Sequence, residues 1–458
     1  MKKTLIIFAI VALLIAIFPI VGNKVIENSI DNQIELLKSY GVEVQTNLDK
    51  HGYLHTQKEY LLIVQDADKF AQYLNQFSDK NTQNYTADML EGIKVGLDLE
   101  YSNFPLSDAV SLDIYLLSLP LKMQKFVESY DSDFEHYITK SLQNKTLLVH
   151  LDYSIAKSDF KGYVKNIDEK YTLKDTSILS FNLTDVSYSG NGVLGYMESL
   201  NLLLGQLSLN IIKDGEEFHL QLHNLLVFST FESDTTYNYV FKLKKLNYIV
   251  KTKEFDDLSL QTHNIYVDFS SNTQGEKASF YSKSSFEHLF VETNSTTINL
   301  NGFNYDISLS EADKDSYEKL RILLLQADAA YTDDLGVEIQ QSFIELFSKG
   351  VDLKIADFSL GSVATKNIQA IDGFGIKAEI VIDEDIAMAQ DIVSFTTLIS
   401  KNITIDSQVK FSKDLFSIIN QEFPLTLFAA PYAIEHENKI LFDLKFYDEK
   451  LRINDKIL

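Results

Sequence analysis

The sequence predicts an α+β protein that is mainly β. It expects a single N-terminal transmembrane helix followed by a long antiparallel β-meander packed with a few helices. Three observations carry this reading. Residues 4–21 form a run with no charged side chain. From about 95 to 309 the dominant pattern is strict alternation of apolar and polar residues, the period of a strand with one buried face. Apolar residues at helical spacing are confined to a few short stretches. The 458 residues are 45% hydrophobic and 12% aromatic, ample for a sizeable core.

The N-terminal run, TLIIFAIVALLIAIFPIV, would make about 27 Å of helix at ~1.5 Å per residue, enough to cross a hydrocarbon core. It is followed by Phe18-Pro19-Ile20-Val21-Gly22-Asn23-Lys24, which lacks the small residues of a signal-peptidase site. An uncleaved anchor over 1–23 is therefore expected. Lys2 and Lys3 place its N-terminus in the cytoplasm and the bulk of the chain across a bacterial inner membrane, in the periplasm.

Beyond the anchor, Ile26, Ile30, Ile34 and Leu37 predict an amphipathic helix that stops at Gly41. Residues 42–44 and 60–64 read as strands around a turn at His51-Gly52, and 66–77 as a second helix. The alternating stretch is punctuated by Ser189-Gly190-Asn191-Gly192, Asp214-Gly215 and Asn272-Thr273-Gln274-Gly275, each read as a turn. Helical periodicity returns over 311–350, strands over 351–360 and 376–382, and a helix over 412–428. The chain closes with a hairpin, 439–446 and 450–454. The division expected is an anchor (1–23), a β-rich region (24–310), and a helical insert with returning strands (311–458).

One pattern recurs, with Φ apolar: Φ-x-Φ-x-x-Φ-x-Φ. It occurs at Phe181, Leu183, Val186 and Tyr188, then at Leu220, Leu222, Leu225 and Val227. Phe241, Leu243, Leu246 and Tyr248 form a third copy, and Ile298, Leu300, Phe303 and Tyr305 a fourth. Leu353, Ile355, Phe358 and Leu360 complete the set. One residue too many between two alternating pairs marks a β-bulge, or a strand that hands its apolar face to the other side.

Composition excludes several chemistries. Lys plus Arg number 41 against 65 Asp plus Glu, a net charge of −24, so phosphate backbones are repelled and no nucleic-acid partner is expected. The absence of cysteine excludes disulfides, thiolate metal sites and cysteine nucleophiles. Of nine His, His51/His55 and His219/His223 lie four apart; on an extended strand His219 and His223 would be roughly 13 Å apart, too far to share one ion, and His51 and His55 flank a turn with no third ligand evident. The acid clusters Asp256-Asp257, Asp333-Asp334 and Asp383-Glu384-Asp385 lack the spacing of a calcium loop and read as solvated turns. Gly190, Gly192 and Gly195 spell a G-x-G-x-x-G, yet the preceding segment alternates where a dinucleotide fold needs a continuous apolar strand. Glu292-Thr293-Asn294-Ser295-Thr296 has the form of a bacterial glycosylation sequon, making Asn294 a candidate acceptor. No catalytic, cofactor-binding or metal-ligating residue is assigned.

The N-terminal anchor, Tyr40-Gly41-Val42-Glu43-Val44 with His51-Gly52-Tyr53-Leu54-His55-Thr56-Gln57, and Phe104-Pro105-Leu106 after a strand together resemble the YdgA-like family of bacterial envelope proteins. The terminal Phe446-Tyr447-Asp448-Glu449-Lys450-Leu451-Arg452-Ile453-Asn454-Asp455-Lys456 is similar to that family's closing hairpin. The chain departs from it at Tyr101-Ser102-Asn103, where the family tends to carry His-Gly-Pro, and at Asp455, where Gly is usual. The resemblance implies an envelope address and a β-rich fold; it implies no reaction. The alternating strands also resemble AsmA-type proteins, whose β-grooves are linked to lipid handling, a likeness of fold alone.

The function expected is that of a non-enzymatic envelope module, a scaffold or a binder of lipid or another hydrophobic ligand, with membrane, lipid or envelope proteins as partners. The alternative is an envelope enzyme whose site is assembled from distant residues. Membrane fractionation with N-terminal sequencing checks the anchor: the mature chain should sediment with membranes and begin at Met1, and a soluble product starting near residue 23 would refute it.

Overall fold

A computed structural model describes residues 26–52, 55–76, 85–102, 109–154, 156–193, 196–233, 235–253, 256–329, 333–383, 399–422 and 430–457. The fold is mainly β, 60% strand and 24% helix, as the alternation predicted. Among the described residues no helix is long and apolar enough to cross a membrane; the expected anchor lies outside them. The chain divides into two compact units, Met1–Phe228 and Ser229–Leu458. The pattern of the sequence placed a division at 310/311, where helical periodicity begins. The units part earlier because the strand that follows the helical insert pairs with the strand that precedes it, so the segment after 311 continues one sheet.

In the first unit, the helix Ile26–Ser39 stops at Gly41 (φ 83°) as expected. A Cβ there would lie 2.4 Å from the Asp66 Cβ, so only glycine serves. Strands β1 (Val42–His51) and β2 (His55–Val64) form a hairpin. The helix Ala67–Asn75 follows, its first turn capped by Asp66 accepting from the Lys69 amide. β3 (Lys94–Ser102) and β4 (Ala109–Ser118) extend the sheet from β2.

Two helices then interrupt the meander, Leu121–Tyr130 and Ser132–Gln143, where the sequence reading passed from strand to strand. Only Val127 and Leu142 are buried on them, too few to write a helical stripe. Asp131 joins them. Its carboxylate is buried, yet it accepts from the amides of Asp133 and Phe134 at 3.0 Å and of Lys174 at 2.8 Å. Burial alone would raise this acid; the three amides and Lys174 hold it below the usual range.

The sheet resumes with β5 (Leu148–Ser154) and β6 (Asp159–Val164), then β7 (Ile167–Thr172), β8 (Ile178–Thr184), β9 (Val186–Val193) and β10 (Tyr196–Lys213). β10 pairs with β9 along one stretch and with β8 along the next. Gly190 and Gly192, expected in a turn, lie inside β9 between β6 and β10, while Gly195 is outside the described residues. Gly190 admits its neighbours: a Cβ there would stand 2.0 Å from the Ser199 carbonyl oxygen and 2.6 Å from the Phe160 ring, while Gly192 has φ 146°. By contrast Asp214-Gly215 is the expected tight turn, with φ 47° and 87°.

The repeated apolar pattern has a structural cause. Asp185, Asn224 and Gly302 occupy its second central position in the first, second and fourth copies, and all have left-handed φ (55°, 50° and 64°). In the fifth copy Asp306 faces Asp357 and Ile307 faces Ile355, so Ala356 is an extra, bulged residue. In the third, the left-handed residue is Asn264 (φ 53°) of the neighbouring strand. A single left-handed residue turns the strand so that side chains three apart share a face. Phe181, Leu183, Val186 and Tyr188 accordingly all join one core.

The unit boundary falls within β11 (Glu216–Phe231). The second unit is a meander of neighbouring antiparallel strands, β12 (Tyr237–Lys251), β13 (Leu258–Asn272), β14 (Lys277–Thr293) and β15 (Thr297–Asp313). After helices Lys314–Ala329 and Asp333–Ser348 come β16 (Val351–Thr365), β17 (Ile371–Ile382) and β18 (Ile403–Ser412), the last not foreseen from the sequence. Helix Lys413–Glu422 precedes β19 (Ile434–His436), β20 (Lys439–Tyr447) and β21 (Lys450–Ile453). The terminal hairpin forms in the expected register, Leu444 opposite Ile453 and Phe446 opposite Leu451, and β20 also pairs with β18. Ile440, Phe442 and Ile453 are buried in a small core of their own.

Deleting 436–458 should therefore lower the stability of the second unit by several kcal/mol, because it uncovers the β18 edge and removes three buried side chains, Ile440, Phe442 and Ile453, each contributing ~1.5–3 kcal/mol. Denaturant unfolding checks this: the midpoint for the second unit should fall, and an unchanged midpoint would make the hairpin dispensable.

Candidate functional site

The second unit carries one amphipathic sheet whose apolar face is covered only in part. A single row of directly opposed residues crosses eight strands: Phe241, Val267, Ser284, Tyr305, Phe358 and Ile376, then Val409 and Phe442. Seven strand spacings of ~4.8 Å make this row about 34 Å wide. Ser284 is its one polar member. A second row, Leu246, Thr262, Leu289, Leu300 and Val363, runs parallel beyond the left-handed residues. Aromatic rings connect along the face, Phe286 with Phe303 at 5.0 Å, Phe303 with Phe358 at 6.2 Å and Phe358 with Phe374 at 5.3 Å. The opposite face is polar, with Asn301 bonded to Ser362, Tyr266 to Asp268, and Lys283 paired with Asp306.

Exposure separates this face from an ordinary core. From Phe241 to Ile376 each residue of the first row is only part-buried, the same class as Asn299, Asn301 and Asn304 on the polar side. Full burial of large side chains is concentrated at the margins. At one, Val351 and Ile382 pack with Leu320 and Leu346 of the two long helices; at another, Phe442 lies with Phe416 of helix Lys413–Glu422. Between these margins the large side chains pack against one another and, apart from the buried Leu243, are only part-buried.

The helical margin is fastened electrostatically. Asp313 caps helix Lys314–Ala329, accepting from the Ser316 amide at 3.0 Å and its hydroxyl at 2.6 Å, and Lys349 from the second helix reaches the same carboxylate at 2.6 Å. Burial would raise the Asp313 carboxyl; Lys349 and Ser316 outweigh it and bring it down to about 2.

The residues singled out in the sequence do not gather here. His51 pairs with Asp49 at 3.0 Å and His55 with Glu100 at 3.8 Å, on opposite arms of the β1–β2 hairpin. His219 is bonded to Asn210 of β10, and His223 lies farther along β11. Asp333 and Asp334 open a helix; Glu384 and Asp385 lie outside the described residues. Asn294 sits exposed at the tip between β14 and β15 and donates to Asp256 at 3.1 Å. Among the described residues, no group of three or more His, Asp or Glu side chains is placed to hold a metal ion.

Sequence reasoning missed one polar cluster, in the first unit. His150 on β5 directs Nδ1 to Asp113 at 2.7 Å and Nε2 to Asp152 at 3.3 Å. These residues lie on two strands, and only the strand register brings Asp113 of β4 opposite His150 of β5. Both ring nitrogens face carboxylates, so neither is directed at a nucleophile. Ser187 is two strands away, with Tyr163 between. The cluster lacks the geometry of a Ser–His hydrolase.

The chain matches no family model, no curated protein and no solved structure.

The Asp313 cap yields a pH prediction. An acid whose folded pKa is depressed adds stability that is complete above its unfolded value near ~3.9, and this is lost as pH falls through about 2. Asp313→Ala should cost about 1 kcal/mol at neutral pH and raise amide exchange in both helices. The difference from the wild-type chain should shrink progressively below pH 4; a difference independent of pH would separate the cap from the charge.

Proposed function

We propose that this is a membrane-tethered envelope protein of the YdgA-like kind whose second unit holds the acyl chains of lipid against its apolar sheet face. One observation carries the reading: a row of apolar side chains crosses eight strands, and most of it is no more buried than the polar face behind it. Apolar surface left part-exposed over this extent marks a binding surface. An acyl chain is the occupant because the row is continuous, about 34 Å wide, and offers almost no hydrogen-bonding group with which to fix a polar ligand. The uncharged run at 4–21 adds a tether that would keep this face beside its lipid source, with the bulk of the chain in the periplasm. The reading is non-enzymatic, and it leaves Asn294 as a loop-tip acceptor in a host that glycosylates this sequon.

A photoactivatable fatty acid supplied to membranes containing the full chain tests it. Crosslinks mapped by mass spectrometry should fall on β12 to β17, at Phe241, Phe303, Tyr305 and Phe358. Phe303→Asp and Phe358→Asp should each reduce labelling several-fold while leaving the far-ultraviolet dichroism unchanged. Crosslinks confined to residues 4–21, or none, would leave a scaffold role.

A further inference from the structure

The first unit has an open depression of about 370 Å³ on its sheet. It arises because two small residues, Ser187 and Ser189 of β9, stand between larger ones. Tyr163 and Lys161 rise from β6 on one side, directly opposite the two serines. Leu203 and Asn201 rise from β10 on the other, again directly opposite them. Tyr163 is 47% exposed and Leu203 46%, so two apolar surfaces flank a polar floor.

We infer that this depression is a saccharide-binding site, taking one pyranose ring of a glycan. The Tyr163 ring is held in place from behind: it stacks on the His150 imidazole at 4.8 Å, and Asp113 and Asp152 fix that imidazole through both its nitrogens. A fixed, exposed aromatic face suits the C–H side of a sugar and costs little ordering on binding. The side chains of Lys161, Ser187, Ser189 and Asn201 make no hydrogen bond or ion pair among the described residues, which leaves donors and acceptors ready for hydroxyls. Charge argues against an ion as ligand. Lys161 lies directly opposite Asp152 in the β5–β6 register, so neither an anion nor a cation meets a site of one sign. This surface is separate from the acyl-binding face, and neither reading requires the other.

Saturation-transfer NMR on the full chain in nanodiscs tests the site with four soluble probes: maltohexaose, cellohexaose, chitohexaose and mannohexaose. At least one should receive saturation on its ring protons. Tyr163→Ala and Asn201→Ala, both at the surface, should each weaken that binding about tenfold or more with the fold intact by circular dichroism. Phe303→Asp, on the acyl face, should leave it unchanged, so failure here and failure of the lipid reading are told apart. Absence of transfer to all four probes, or transfer that survives both depression variants, would overturn the assignment.

Discussion

The structure depends on keeping one face of each strand apolar along lengths greater than simple alternation sustains. The strands reach fifteen residues and more, and in both units that length is made from two alternating halves joined out of phase. A residue in left-handed conformation, or a bulge, brings the halves back onto one face. Each left-handed residue other than glycine costs roughly 1–2 kcal/mol. In the first copy the turn allows Leu183 and Val186 to be buried together, at ~1.5–3 kcal/mol per large side chain. Burial exceeds the conformational cost, and the residue types at these points, Asp185, Asn224, Asn264 and Gly302, are those that tolerate the conformation best.

From β12 to β15 these departures line up between neighbours without shifting the register, whereas the bulge at Ala356 of β16 does shift it. Leu243 faces Ile265 and Lys245 faces His263, so Lys244 stands opposite Asn264. On the next strands Phe286 faces Phe303 and His288 faces Asn301, which puts Glu287 opposite Gly302. These four strands turn at one level, and the rows of side chains stay matched on either side of it. This alignment keeps the apolar rows matched from β12 to β15, and regular pairing on β17, β18 and β20 continues the first row to Phe442.

The polar cluster in the first unit follows from register in the same way. Asp113, His150, Tyr163 and Ser187 meet because they are successive cross-strand partners, not because of any spacing along the chain. Glycines inside the strands make room for aromatic neighbours: a Cβ on Gly162 would stand 2.4 Å from the Tyr188 hydroxyl, which instead donates to the His150 carbonyl. Burial, with the charges of Asp152 and Asp113, pushes that phenol up, so it remains a donor.

By itself the sequence determined what depends on local period and local caps. Alternation set the class of fold, 3.6-residue spacing set the helix after residue 26 and the pair after residue 313, and Asp448-Glu449 between apolar runs set the terminal hairpin. It missed the helices Leu121–Tyr130 and Ser132–Gln143, which bury one side chain each and are fixed by the Asp131 caps. It took Gly190 and Gly192 for a turn, because a glycine in a turn and one that admits a neighbouring ring within a strand, as Gly190 does beside Phe160, are spelled alike. The five apolar repeats were legible, but their effect was not, since whether two halves of a strand share a face depends on one backbone angle. Only tertiary structure decided which residues stand side by side across strands, because register fixes distances between segments far apart in the chain.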